Sequence, residues 1–181
     1  MTTAFVTPAH RQVVVMGVSG CGKTTLGEAL AKAWGCEYVE GDRYHSPENV
    51  ARMAAGIALT DEWRRDWLLT LADMLGQAYA QQRSMVLSCS ALKRSYRDLL
   101  RRHTPGLQFV HLHGAVESLA QRMQQRQGHY MPASLLDSQL QTLEMPAVDE
   151  AVVPMNIEQP VTTMVAKLLR QWGSPTGATT A

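Results

Sequence analysis

Val13-Val14-Val15-Met16-Gly17-Val18-Ser19-Gly20-Cys21-Gly22-Lys23-Thr24-Thr25 is a short apolar run that opens directly into the pattern G-x-x-x-x-G-K-T. Val13 to Met16 predict a buried strand. Thr24 to Trp34 predict a helix, with Leu26, Ala29, Leu30 and Ala33 at i, i+3, i+4 and i+7. Strand, glycine-rich turn and helix form the context in which this motif binds phosphate. The glycines let backbone N–H groups turn inward around phosphate oxygens, and the helix N-terminus adds partial positive charge. Lys23 is placed to reach the β and γ phosphates of a nucleoside triphosphate, and the Thr24 hydroxyl to ligate Mg²⁺. The residues expected to cradle the nucleotide are therefore Gly17, Val18, Ser19, Gly20, Cys21, Gly22, Lys23, Thr24 and Thr25.

The rest of the chain is compatible with one α/β domain around that loop. Its 181 residues can bury a sizeable core, and 45% hydrophobic with 18% charged residues fits a soluble globular protein. A formal net charge of +1 gives no electrostatic case for nucleic acid or an anionic membrane. No apolar run approaches the roughly 18 residues of a membrane span. The opening MTTAFVTPAHRQ lacks a charged region followed by an apolar stretch, so no secretory signal is expected, and residues 1–12 read as a flexible arm. Three cysteines, Cys21, Cys36 and Cys89, with no C-x-x-C, argue against a disulfide framework and a zinc site, and fit a reducing cytoplasm.

Strands and helices alternate, which predicts a parallel sheet flanked by helices. The predicted strands are Val13 to Met16, Cys36 to Val39, Met85 to Cys89, Leu107 to Leu112, and Val152 to Ile157 broken by Pro154. Pro154 suits an edge or a bulge. Ser46-Pro47 starts a short helix that Gly56 ends. Thr60-Asp61-Glu62 starts a longer one, running to about Gln82, with Trp63, Trp67, Leu71 and Leu75 read as core. Further helices are predicted over Ala91 to Arg102, Ala115 to about Arg126, a segment carrying Leu135, Leu136, Leu140 and Leu143, and Val161 to Trp172. Residues 13–172 read as one domain, with a lid over about 122–146 and a disordered tail over 173–181.

Several constellations lie where a parallel sheet binds ligands, at the carboxyl ends of its strands. Glu40-Gly41-Asp42 ends predicted strand two. One acid can hold a water on Mg²⁺, and the other can accept a proton from an attacking hydroxyl. Strand three, Met85 to Cys89, offers no Asp for the metal, so Glu40 or Asp42 must supply that acid. Lys93 and Arg97 are four residues apart and can grip an anionic substrate from one helix face, or belong to a solvated basic face. Arg122 and Arg126 share a face before the loop Gly128-His129-Tyr130-Met131-Pro132, which can close as a lid. His45, Asn49 and Arg52 lie on or near the short helix, where an acceptor pocket would sit, and His129 is a further candidate for the acceptor.

Taken together, the stretches GVSGCGKTT at 17–25, EGDRYHSPENVARMAAGIALTDEWR at 40–64, CSALKRSYRDLLR at 89–101, RMQQRQGHYM at 122–131 and QTLEMP at 141–146 resemble the gluconate kinase family. The resemblance spans roughly Val13 to Trp172 and implies a P-loop NTPase fold similar to shikimate and adenylate kinases: a five-stranded parallel sheet, flanking helices and a lid segment. It implies ATP-dependent phosphorylation of D-gluconate at its 6-hydroxyl, with ATP and Mg²⁺, in a cytoplasmic homodimer. By that resemblance Glu40 is the acid near Mg²⁺ and Asp42 the base. Arg122 lies against the adenine and Arg126 reaches phosphate. Lys93 lies near gluconate and the transferred phosphate, and Ile157 to Pro160 flank the base. Arg52 stands where relatives often carry Lys, and Tyr130 where they often carry Phe. Pro154 and Asn156 interrupt a strand that is more regular in relatives.

Other readings share the fold. A small kinase acting on shikimate or a nucleoside monophosphate would carry the same loop. A GTP-dependent switch would usually carry N-K-x-D, which this sequence lacks. A catalytically dead homologue is disfavoured by intact Lys23, Thr24 and Asp42.

Overall fold

The computed structural model describes residues 10–125 and 134–173. Among these, five strands form one parallel sheet in the order β2-β3-β1-β4-β5. The strands are β1 (Gln12–Met16), β2 (Glu37–Glu40), β3 (Met85–Ser88), β4 (Gln108–His113) and β5 (Val153–Asn156). The helices are α1 (Lys23–Trp34), α2 (Pro47–Ala54), α3 (Asp61–Ala80), α4 (Arg94–Arg101), α5 (Val116–Gln125), α6 (Ser134–Thr142) and α7 (Val161–Trp172). The five-stranded parallel P-loop architecture read from the sequence is the one observed.

Central strand β1 is buried along its whole length, as its unbroken apolar sequence predicts. Its side chains alternate between faces. Val13 and Val15 join α1 and α7 in one core, and Val14 and Met16 join α3 and α4 in the other. Each such fully buried aliphatic side chain contributes about 1.5–3 kcal/mol relative to exposure. Pro154 lies in β5, which pairs only with β4, so its missing N–H faces the sheet's open edge.

The helix ends follow their sequence signals. Ser46 Oγ accepts from Asn49 N–H at 3.2 Å to cap α2, and Thr60 Oγ1 accepts from Trp63 N–H at 3.3 Å to cap α3. Gly35 ends α1 in the left-handed conformation.

The differences are local. The chain is already in the sheet at Gln12, because Met85 N–H donates to Arg11 O at 2.9 Å. The inner face of α1 is Leu26, Gly27, Leu30, Ala31 and Trp34, so Ala33 points outward. Trp63 is 36% exposed rather than core, with the Arg52 guanidinium 4.1 Å above its ring. Helix α4 begins at Arg94, not Ala91, because Ala91 takes a left-handed φ of 43° that breaks the helix before it starts. No helix among the described residues is long and apolar enough to cross a membrane. The lid residues Arg126, His129 and Tyr130, the arm before His10 and the tail after Gly173 lie outside the described residues.

Candidate active site

Between β1 and α1 the glycines do what their positions require. Gly17 has φ 142°, and a Cβ there would meet Leu112 O at 2.6 Å, so only glycine turns the loop this close to β4. Lys23 folds back along the loop and donates to Val18 O at 3.2 Å. Ser19 N–H donates to Gln139 Oε1 on α6 at 2.6 Å, so the loop is tied to the segment after the lid.

Register brings one of the two candidate acids level with the end of strand three. Glu40 on β2 lies opposite Ser88 on β3. The position that lacks an Asp is filled by a serine, and the carboxylate comes from the neighbouring strand at the same height. Glu40 accepts hydrogen bonds from Thr24 Oγ1 at 2.7 Å, from Tyr38 Oη at 2.8 Å and from Ser88 Oγ. Burial works to raise its pKa, but the hydrogen bonds from Ser88, Thr24 and Tyr38 and the charge on Lys23 outweigh it and hold the carboxyl below its usual range. An ionised carboxylate against the loop's threonine hydroxyl is an all-oxygen donor set, which suits a hard divalent cation.

A narrow cavity of about 60 Å³, smaller than the ~300–1,000 Å³ of typical small-molecule sites, opens beside this group. Lys23, Asp42, His45 and Arg64 line its charged and titratable side. Ser138, Gln139 and Thr142 of α6 line another wall, and Met53, Leu59 and Leu135 pack together as a small apolar floor. Ser19 and Ser90 complete the edge nearest the loop.

Asp42 sits on a 3-10 turn, Gly41–Tyr44, that follows β2 without a break. Gly41 locks that turn. Its N–H donates to Ser88 Oγ at 3.2 Å, and its carbonyl accepts from Trp67 Nε1 at 2.8 Å. A Cβ at Gly41 would lie 2.1 Å from Ser88 O. His45 stacks on Trp67 with ring centroids 4.0 Å apart. Burial, helped by the charge of Arg64, lowers its pKa to about 4, so it is neutral at pH 7.

Three basic residues read as substrate contacts lie elsewhere. Arg97 is fully buried. Its guanidinium forms a two-point pair with Glu150 at 2.6 and 2.8 Å and donates to Ala91 O and Leu92 O at 3.1 and 3.2 Å. It has no exposed face to offer a substrate and instead braces the left-handed turn at Ala91. Arg52 stacks on Trp63, donates to Asn49 Oδ1 at 2.9 Å and lines a separate outer groove. Lys93 turns to Asp61, with Nζ at 2.7 and 2.8 Å from the two carboxylate oxygens, and does not line the cavity. Asp61 also accepts from Tyr96 Oη, and these two partners hold its pKa below the usual range.

The cavity's buried cation is Arg64, which the sequence reading missed. It donates through Nε to Leu59 O at 3.2 Å. The available signal was its place in the apolar stripe Arg64, Trp67, Leu68, Leu71 and Leu75 of α3, where a charged residue demands a reason. On the other side of the phosphate loop, Arg122 donates to Ile157 O at 2.8 Å, with its guanidinium about 4 Å from where a side chain at Gly22 would begin. The 157–160 turn and Arg122 are thus neighbours.

Comparison with known proteins places this fold among known kinases. A family model described as shikimate kinase matches residues 19–167. A gluconokinase of Gluconobacter oxydans is 46% identical over 162 residues, covering 90% of this chain and 91% of that protein. The crystal structure of a gluconokinase from Sinorhizobium meliloti superposes with a TM-score of 0.80 at 47% identity, covering 92% and 94% of the two chains. The unliganded crystal structure of a sugar kinase from a Janibacter species does so with a TM-score of 0.89 at 46% identity, covering 94% and 99%.

Proposed function

The chain belongs to the gluconokinase family, within the wider shikimate kinase group, and we propose that it transfers the γ-phosphoryl group of ATP to the 6-hydroxyl of D-gluconate. The observation that carries this reading is one cavity in which the phosphate-loop lysine, a carboxylate and a buried arginine converge: Lys23, Asp42 and Arg64. Lys23 opposes the transferring phosphate, Asp42 accepts the hydroxyl proton, and Arg64 faces the substrate carboxylate.

ATP lies along Gly17–Thr25 with its base between Arg122 and the 157–160 turn. Thr24 Oγ1 and, through water, Glu40 would hold Mg²⁺, which would supply neutralisation of the phosphate charge. Asp42 orients the 6-hydroxyl and takes its proton as the new P–O bond forms and the bond to the ADP oxygen breaks. His45, neutral and stacked on Trp67, hydrogen-bonds an acceptor hydroxyl without adding charge. For Arg126 and His129, outside the described residues, the family resemblance implies contacts to phosphate and acceptor. Positioning and electrostatics supply most of the rate enhancement.

The test is ADP release across gluconate, shikimate and AMP. Turnover is expected with gluconate alone and is lost when the divalent cation is chelated. Equal or greater turnover with shikimate or AMP would reassign the acceptor. Homodimerisation and a cytoplasmic setting follow from the same family resemblance. A solution mass twice the 20.0 kDa of the chain, and activity in the cytoplasmic fraction, are the checks.

A further inference from the structure

The cavity has two walls of different chemistry. On one side stand Lys23, Asp42, His45 and Arg64. On the other, above the apolar floor to which its Leu135 contributes, α6 presents the neutral polar groups Ser138, Gln139 and Thr142, at i, i+1 and i+4 of a single helix face. The charged wall accounts for a phosphate, a carboxylate and a reacting hydroxyl, and leaves most of a polyhydroxylated chain unread.

Helix α6 is fixed at both levels that matter for reading it. Leu135 packs with Met53 and Leu59 beneath the cavity, and Leu136 is buried in the larger core. Above them, Gln139 Oε1 accepts from Ser19 N–H at 2.6 Å, which ties the helix to the phosphate loop. At its C-terminal end Leu143 N–H donates to Gln139 O at 2.9 Å and Glu144 N–H to Leu92 O at 2.8 Å. The face is therefore set at a constant height above the place where phosphate transfers. Thr142 Oγ1 donates its proton to Ser138 O at 2.8 Å, so towards the cavity this hydroxyl acts as an acceptor.

We propose that the 138–142 face of α6 reads the hydroxyl pattern of the acceptor, with Ser138 and Thr142 as specificity-determining residues and Gln139 as the residue that positions their helix on the phosphate loop. This deepens, and rests on, the sugar-acid reading above. Neutral hydroxyl groups are recognised by neutral partners at fixed heights. A site built to bond a hydroxyl discriminates strongly against an acceptor that lacks it or points it elsewhere.

The experiment compares wild-type enzyme with Ser138→Ala, Thr142→Val and the double variant. It measures KM and kcat for gluconate, for its epimers at carbons 2 to 4, and for ATP. The double variant is expected to raise the gluconate KM about tenfold, the loss of one to two hydrogen bonds. The ATP KM should stay within about twofold, and the preference for gluconate over its epimers should shrink by a similar factor. An unchanged gluconate KM and epimer ratio overturns the proposal. A parallel rise in both KM values does so too, because it marks α6 as scaffold only. The comparison is run on whichever acceptor the wild-type enzyme turns over. Rejection of gluconate by the wild type and indifference of the α6 face are therefore separate results.

Discussion

Asp42→Asn is expected to lower kcat for gluconate phosphorylation by about two to four orders of magnitude, the usual worth of a positioned general base. The substitution keeps the side chain's shape and removes its capacity to take a proton. The backbone beneath it has little freedom to compensate. Gly41 is held by Ser88 Oγ on one side and by Trp67 Nε1 on the other, and it sits too close to Ser88 O to tolerate a side chain. The asparagine should therefore stand where the aspartate stood. The KM for ATP should move little, because the phosphate loop and the Thr24–Glu40 contact are untouched. The thermal midpoint should stay within a few degrees. Near wild-type kcat would remove Asp42 as the base and pass that role to another carboxylate or to water.

Arg97→Ala is expected to be the most destabilising single change in the described structure, by about 3–5 kcal/mol, because it strands a buried carboxylate. Glu150 would keep Arg101 Nη1 at 3.4 Å and the Ala147 N–H at 3.0 Å but lose both short contacts from Arg97. Ala91 and Leu92 would lose the donor that satisfies their carbonyls. For a chain of this size the thermal midpoint should fall by about 10 °C or more.

The same pair sets an acid limit. The hydrogen bonds from Arg97 lower the Glu150 pKa from 4.5 to about 2. Between those values the unfolded chain binds a proton that the folded chain does not. The pair's contribution is thus complete above about pH 4.5 and is lost as pH falls through about 2, a span worth on the order of 3 kcal/mol. Denaturant midpoints measured from pH 6 to pH 2 should show this slope in the wild type and a shallower one in the variant. A variant with unchanged midpoint and slope would mean that the pair is not formed in solution.

How far the sequence could be read differs by kind of feature. The strand–loop–helix at 13–34 was legible because glycine positions and hydrophobic period are local properties. So was the need for an acid outside strand three. What the sequence could not show is the sheet order, which sets β2 beside β3 in the register Glu40 to Ser88 and brings the Glu40 carboxylate to the Thr24 hydroxyl. The basic residues were hardest. Spacing four apart puts Lys93 and Arg97 on one helix face, but burial decides what an arginine does. The partner that buries Arg97 is Glu150, 53 positions downstream. Lys93 is likewise claimed by Asp61, 32 positions upstream. Arg64 was hidden among tryptophans and leucines because an apolar stripe invites a core reading of everything on it. Non-local pairing leaves no mark on a local pattern, so the cations could be nominated but not sorted.

The direct run from β2 into the turn at Gly41 also bears on how the two halves of the reaction stay aligned. On the proposed reading, the acid for the metal and the acid for the hydroxyl are Glu40 and Asp42, two residues apart along one continuous stretch of chain. Their Cα atoms are held by the covalent backbone at most about 7 Å apart. Donor and acceptor chemistry therefore share a molecular ruler of fixed length. Whatever the surrounding helices do, the backbone interval between these two acids cannot stretch beyond that limit.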